Sequence, residues 1–146
     1  MLKGKTLLAY TAGIIDGEGS IMITRGGSYR MRVQVGMVEE YIPKWLHFSF
    51  GGSLQIRRME KPKRNIAQWT IANQLAAEFL KAILPYLKIK RGQAEIALEF
   101  QSQRRKSGGI KGKRGQPFKT EAELAVEEAQ FILMKNLKSK QIELAK

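Results

Sequence analysis

The residue in this chain best placed for chemistry is Glu18, a carboxylate set between Gly17 and Gly19. It follows an apolar run that reads as a helix, so it falls at the negative end of that helix's dipole, where an acid is disfavoured. A carboxylate held against the field points to a cation beside it. The other reading is a buried hairpin helix with a solvated acidic turn, and spacing alone leaves both open.

The helix that must position Glu18 carries Ala9, Ala12, Gly13 and Asp16 at i, i+3, i+4 and i+7, on one stripe of its surface. Small residues there let a second helix come close, while Leu7, Ile14 and Ile15 point elsewhere, into a core. The helix is expected to stop at Gly17 and Gly19, because glycine takes the left-handed conformation that ends helices.

After it, 20–25 and 29–38 read as strands joined across Gly26-Gly27, a hairpin signal. The second strand alternates: Met31, Val33, Val35 and Met37 on one face, Arg30, Arg32, Gln34 and Gly36 on the other. Ser20, Met22 and Thr24 join the polar face. A second hairpin, 53–59 with 65–72, repeats the plan and turns Gln55, Arg57, Gln68 and Thr70 outward from Leu54, Ile56, Ala67, Trp69 and Ile71. Such a face can be an ordinary solvated one. Its chemistry suggests more, because arginine and glutamine are the side chains that bond guanine and adenine edges bidentately.

Between the hairpins, 41–50 reads as a helix anchored by Trp45 and Phe48, and its His47, the single histidine, is assigned no role. Asn73 is the expected N-cap of a helix to residue 84 whose apolar face is Leu75, Phe79, Leu80 and Ile83. A further helix is expected over 93–103. The stretch 102–119 reads as a flexible basic loop rich in glycine, with Lys113 and Arg114 suited to phosphate contact. Thr120 and Glu123 form a capping box for a last helix, within 120–146, whose Glu121, Glu123, Glu127 and Glu128 should keep it away from a polyanion.

The 146 residues fit one domain, and 26 Lys and Arg against 13 acids give a net charge of +13, which favours nucleic acid above other partners. No apolar run approaches the roughly 20 residues of a membrane span, no secretion signal is read, and an intracellular location is expected. With no cysteine there is no thiolate site or disulfide framework. The element order predicts an α+β class.

Thr11 to Ser20, TAGIIDGEGS, resembles the signature of the LAGLIDADG homing endonucleases. Alanine, glycine, two aliphatics, an acid, a small residue, an acid and glycine occur in the same order. The chain departs at Thr11, where the family favours leucine, and at Glu18, where aspartate is commoner. The resemblance extends over most of the chain and implies an αββαββα fold whose curved four-stranded antiparallel sheet forms a saddle over double-stranded DNA. A single motif implies a homodimer, paired through Ala9, Ala12, Gly13 and Asp16, and a long near-palindromic target. It further implies metal-dependent phosphodiester hydrolysis, with Glu18 and the Gly17 carbonyl as ligands of magnesium. Manganese is expected to substitute, and calcium to bind without supporting cleavage. Lys90 matches the family's basic residue near the attacking water, and Glu39 a polar group that positions water. The alternatives on the same scaffold are a maturase bound to intron RNA and a catalytically silent DNA-binding regulator.

Overall fold

The computed structural model describes residues 4–106 and 120–145. In chain order the elements are α1 (Gly4–Glu18), β1 (Gly19–Gly26), β2 (Ser28–Met37), α2 (Tyr41–Phe50), β3 (Ser53–Arg57), β4 (Ile66–Ala72), α3 (Asn73–Ile83), a 3-10 turn (Leu84–Tyr86), α4 (Arg91–Lys106) and α5 (Glu121–Ala145). The strands form one antiparallel sheet in the order β1-β2-β4-β3. The first hairpin and β4 alternate as their sequences predict, but β3, at the sheet edge, does not: Ile56, expected inward, is exposed, and Leu54 is only half-buried. Ile21, Ile23, Met31, Val33, Val35, Ala67, Trp69 and Ile71 are buried on one face, against the helices. Register aligns the other face into rows: Ser20 opposite Gln34, Gln34 opposite Thr70, and Thr70 opposite Ser53. Gln34 donates from Nε2 to Thr70 Oγ1 at 3.3 Å, within that row.

Trp69 is fully buried and donates its indole N–H to the Gly51 carbonyl at 2.7 Å, which fixes the α2–β3 turn to the sheet. Gly52, at φ +86°, has no room for a side chain, since a Cβ would lie 2.4 Å from the Thr70 carbonyl oxygen. Phe79 of α3 meets Trp69 edge-on at 5.3 Å and Phe50 at 4.9 Å.

Several expectations are corrected. Phe48 is 75% exposed, and α2 is anchored instead by fully buried Leu46. Leu75 is also exposed, and the buried face of α3 is Ala76, Ala77, Phe79, Leu80 and Ile83. Asn73 caps nothing with its side chain; it starts α3 at φ 55°, a conformation asparagine tolerates. Residues 102–106, expected to open a loop, continue α4, and Lys113 and Arg114 lie outside the described residues. The capping box is present: Glu123 N–H donates to Thr120 Oγ1 at 3.2 Å, and Thr120 N–H to Glu123 Oε2 at 3.1 Å.

Candidate active site

The end of α1 is fastened by residues far along the chain. Asp16 accepts three backbone N–H groups: Lys88 on Oδ2 at 2.9 Å, and Ile89 and Lys90 on Oδ1 at 3.1 and 2.9 Å. The Lys90 ammonium returns the contact, donating to the carbonyls of Ile15, Asp16 and Gly19. Carbonyls at a helix C-terminus lack intrahelical donors and carry the negative end of the dipole, so an ammonium is the fitting cap. Lys90 is thus the cation that caps the helix carbonyls, and its ammonium makes no hydrogen bond to Glu18 itself. Burial pushes its pKa below the usual lysine range, while the charges of Asp16 and Glu18 oppose that shift.

Glu18 closes the helix and is exposed, as is Gly17. Neither Gly17 nor Gly19 takes the left-handed conformation expected of them. Gly19 is needed for space: a Cβ there would lie 2.8 Å from Ile15 Cα and 2.9 Å from its carbonyl oxygen. This close approach lets the chain leave the helix directly into β1. Thr11, at the family's leucine position, is buried without loss because its hydroxyl donates to the Leu7 carbonyl at 2.7 Å.

The small-residue stripe is rotated from its expected place. Ala12 is fully buried in the core, and Asp16 is committed to residues 88–90, so neither lies on a free helix face. Ala9 and Gly13 are exposed, and with Gly17 they make an i, i+4, i+8 line along the open side of α1. Glu39, expected to position water, instead caps α2: its carboxylate accepts the N–H of Tyr41 at 2.9 Å and of Ile42 at 3.1 Å. A capping carboxylate so placed satisfies first-turn donors of that helix.

Among the described residues no three His, Cys, Asp or Glu side chains cluster as a metal site. With Asp16 engaged, one chain presents one exposed carboxylate at this turn, Glu18. Magnesium is commonly held by one or two carboxylates with several waters retained. Glu18 and the Gly17 carbonyl are oxygen donors of the kind magnesium takes, but one carboxylate alone makes only a partial site.

Ser20, Met22, Thr24, Arg30, Arg32, Gln34, Gln55, Arg57, Gln68 and Thr70 all lie on the face of the sheet away from the helices. Among the described residues no strand carries an acid. At the β1–β2 end, Thr24, Arg25, Gly26, Ser28, Arg30 and Arg32 line a cavity of about 300 Å³. Arg25 was not among the expected readers, because its parity places it on the core face. It lies beyond the core at the strand end, exposed and 5.8 Å from the Tyr29 ring centroid.

A four-stranded antiparallel sheet with helices on one face and an acid-free, arginine-bearing open face, preceded by a helix ending at Glu18, defines an α+β architecture. The particular fold is that of the LAGLIDADG homing endonucleases. The chain is similar to the homing endonuclease I-CvuI, solved in complex with its target in the presence of calcium, at 17% identity and TM-score 0.66 over 90% of this chain and 81% of that one. It is similar to the homing endonuclease I-TnaI at 14% identity and TM-score 0.61, over 99% of both chains. I-SmaMI, bound to uncleaved DNA in the presence of calcium ions, matches at 17% identity and TM-score 0.61 over 96% of this chain and 49% of its own. No protein-family model matches the sequence, and no curated protein does.

Proposed function

We propose that this chain is one subunit of a homodimeric, metal-dependent, site-specific DNA endonuclease that hydrolyses phosphodiesters in a long, near-palindromic duplex. The observation that carries this reading is an exposed Glu18, on a turn whose neighbouring residues are fastened by Asp16 and Lys90, at the edge of an acid-free strand face. The solved relatives named above include DNA complexes with calcium, which supports duplex DNA and a divalent cation. I-SmaMI, about half of which this chain spans, supports an assembly of two such units.

In the dimer the exposed line Ala9, Gly13, Gly17 of each α1 packs on its mate, bringing two Glu18 carboxylates together. The two carboxylates and the Gly17 carbonyls would hold divalent cations, which would supply an activated water and steady the leaving oxygen. Asp16 and Lys90 keep the turn from moving as the phosphate arrives. The open face binds base edges in the major groove, where all four base pairs are distinguishable. Incubating the protein with a randomised duplex library and magnesium, then sequencing cut ends, tests the activity; an uncut library refutes it.

On the preferred site so defined, Arg32→Ala is expected to lose about 1–3 kcal/mol of binding and to relax one base position. Equal losses on preferred and random duplexes, measured by gel shift, would remove Arg32 from readout. Gly13→Leu tests the interface without harming the fold, because nothing lies within 4 Å of a Cβ added there. The leucine is expected to push the helices apart and yield monomers by analytical ultracentrifugation. A wild-type protein that stays monomeric both free and on DNA overturns the dimer.

A further inference from the structure

Two contacts fix how α5 lies along α4. Arg104 Nε approaches Glu127 Oε1 at 3.9 Å near one end, and Leu137 Cδ2 lies 3.2 Å from where Gly92 would place a Cβ near the other. The helices are therefore antiparallel. This register brings Lys138 level with the start of α4, which Lys90 immediately precedes in the chain. Lys138 is half-buried.

We propose that Lys138 is a phosphate-contacting residue of the active site, supplied by the last helix to the DNA backbone that passes the Glu18 turn. This rests on the endonuclease reading. Lys90 already caps α1 through three carbonyls, so its ammonium is occupied in holding the turn. Lys138 stands close enough to feel the Lys90 charge; burial first, and that charge second, push its pKa below the ordinary lysine range. Two ammonium groups brought together and partly desolvated raise the energy of the free protein. An incoming phosphate relieves the repulsion and gains a charge-assisted contact with Lys138. The sequence offers no hint of this, because α5 begins with four acids within its first eight residues and reads as a helix turned away from nucleic acid.

The test compares the full-length protein with Lys138→Gln, Lys138→Arg and, as a charge-matched control, Lys81→Gln, which removes an exposed lysine on α3. Three measurements are made: thermal melting without phosphate, nicking of supercoiled plasmid in magnesium, and the salt dependence of binding to a random-sequence duplex. Lys138→Gln is expected to melt at or above the wild-type temperature, because repulsion and desolvation are relieved. It should nonetheless slow nicking by about tenfold or more and lower the log K against log salt slope by about 0.9, one phosphate contact. Lys138→Arg should restore most of both. A residue with only a packing role gives the reverse, a lower melting temperature with unchanged nicking and slope, and that result overturns the proposal. So does a change in slope no larger than that of Lys81→Gln. If the wild-type protein binds duplex but cuts nothing, the endonuclease reading fails, and the slope comparison still decides whether Lys138 meets phosphate.

Discussion

Glu18→Gln is expected to abolish strand cleavage in magnesium while leaving the protein folded and able to bind its duplex. Glu18 is exposed and takes no part in the Asp16–Lys90 lock, so the amide replaces it without loss of a structural contact. What it removes is charge. In the proposed dimer two Glu18 groups face each other at negative helix ends, an arrangement unfavourable without a divalent cation between them. Glutamine keeps the shape, removes the repulsion and weakens the hold on the metal. Binding without metal should therefore persist or improve. Glu18→Asp, one methylene shorter, restores the residue commoner in the resembled family and should retain part of the cleavage. Plasmid linearisation beside gel-shift affinity, with calcium as a binding-only control, checks both. Cleavage at the unaltered rate by the glutamine variant would reduce Glu18 to a turn residue.

The second large effect is expected at Asp16. Alanine there strands the N–H groups of Lys88, Ile89 and Lys90, all three of which donate to its carboxylate. Hydrogen bonds to a charged group contribute about 1.5–3 kcal/mol each; because Lys88 and Ile89 are exposed and can turn to water, the total loss is expected to stay near that of one such bond, about 2–3 kcal/mol. Asp16→Asn should be milder. Its carbonyl oxygen can keep the two donors on Oδ1, while its NH₂ group is turned against the Lys88 N–H. The expected order of stability in urea is wild type, asparagine, alanine, with hydrogen exchange accelerated at 88–90. Cleavage should fall further than stability explains, because Lys90 loses its seat over the turn. Equal stability of all three proteins would show the lock to be idle.

Much of the fold was legible because strand alternation is local. The contrast of Met31, Val33 and Val35 with Arg30, Arg32 and Gln34 holds through the sheet, and Thr120–Glu123 is complete within one turn. What was not legible depends on partners elsewhere in the chain. Nothing in the size of Ala12 says that it faces the core while Ala9 and Gly13 do not. Asp16 and Glu39 are acids whose hydrogen-bond partners, at 88–90 and 41–42, are not visible from their own positions in the sequence. Phe48 and Leu75 are large and apolar yet exposed, because burial follows which side of a helix meets the sheet. Lys138 acquires significance only through the antiparallel register of α4 and α5.

The bonds that shape the Glu18 turn join residues separated by 71 to 75 positions in the chain. Contacts so distant are formed only after the intervening loop has closed, at an entropic cost that no local interaction offsets. During synthesis the motif helix emerges before residues 88–90 and lacks its cap until they have been made. The Glu18 turn is thus shaped only after most of the sheet that follows it has been made. Partly made or partly folded chains would present the sheet's basic face before they possess an ordered acidic turn, so affinity for a polyanion precedes the capacity to cut it.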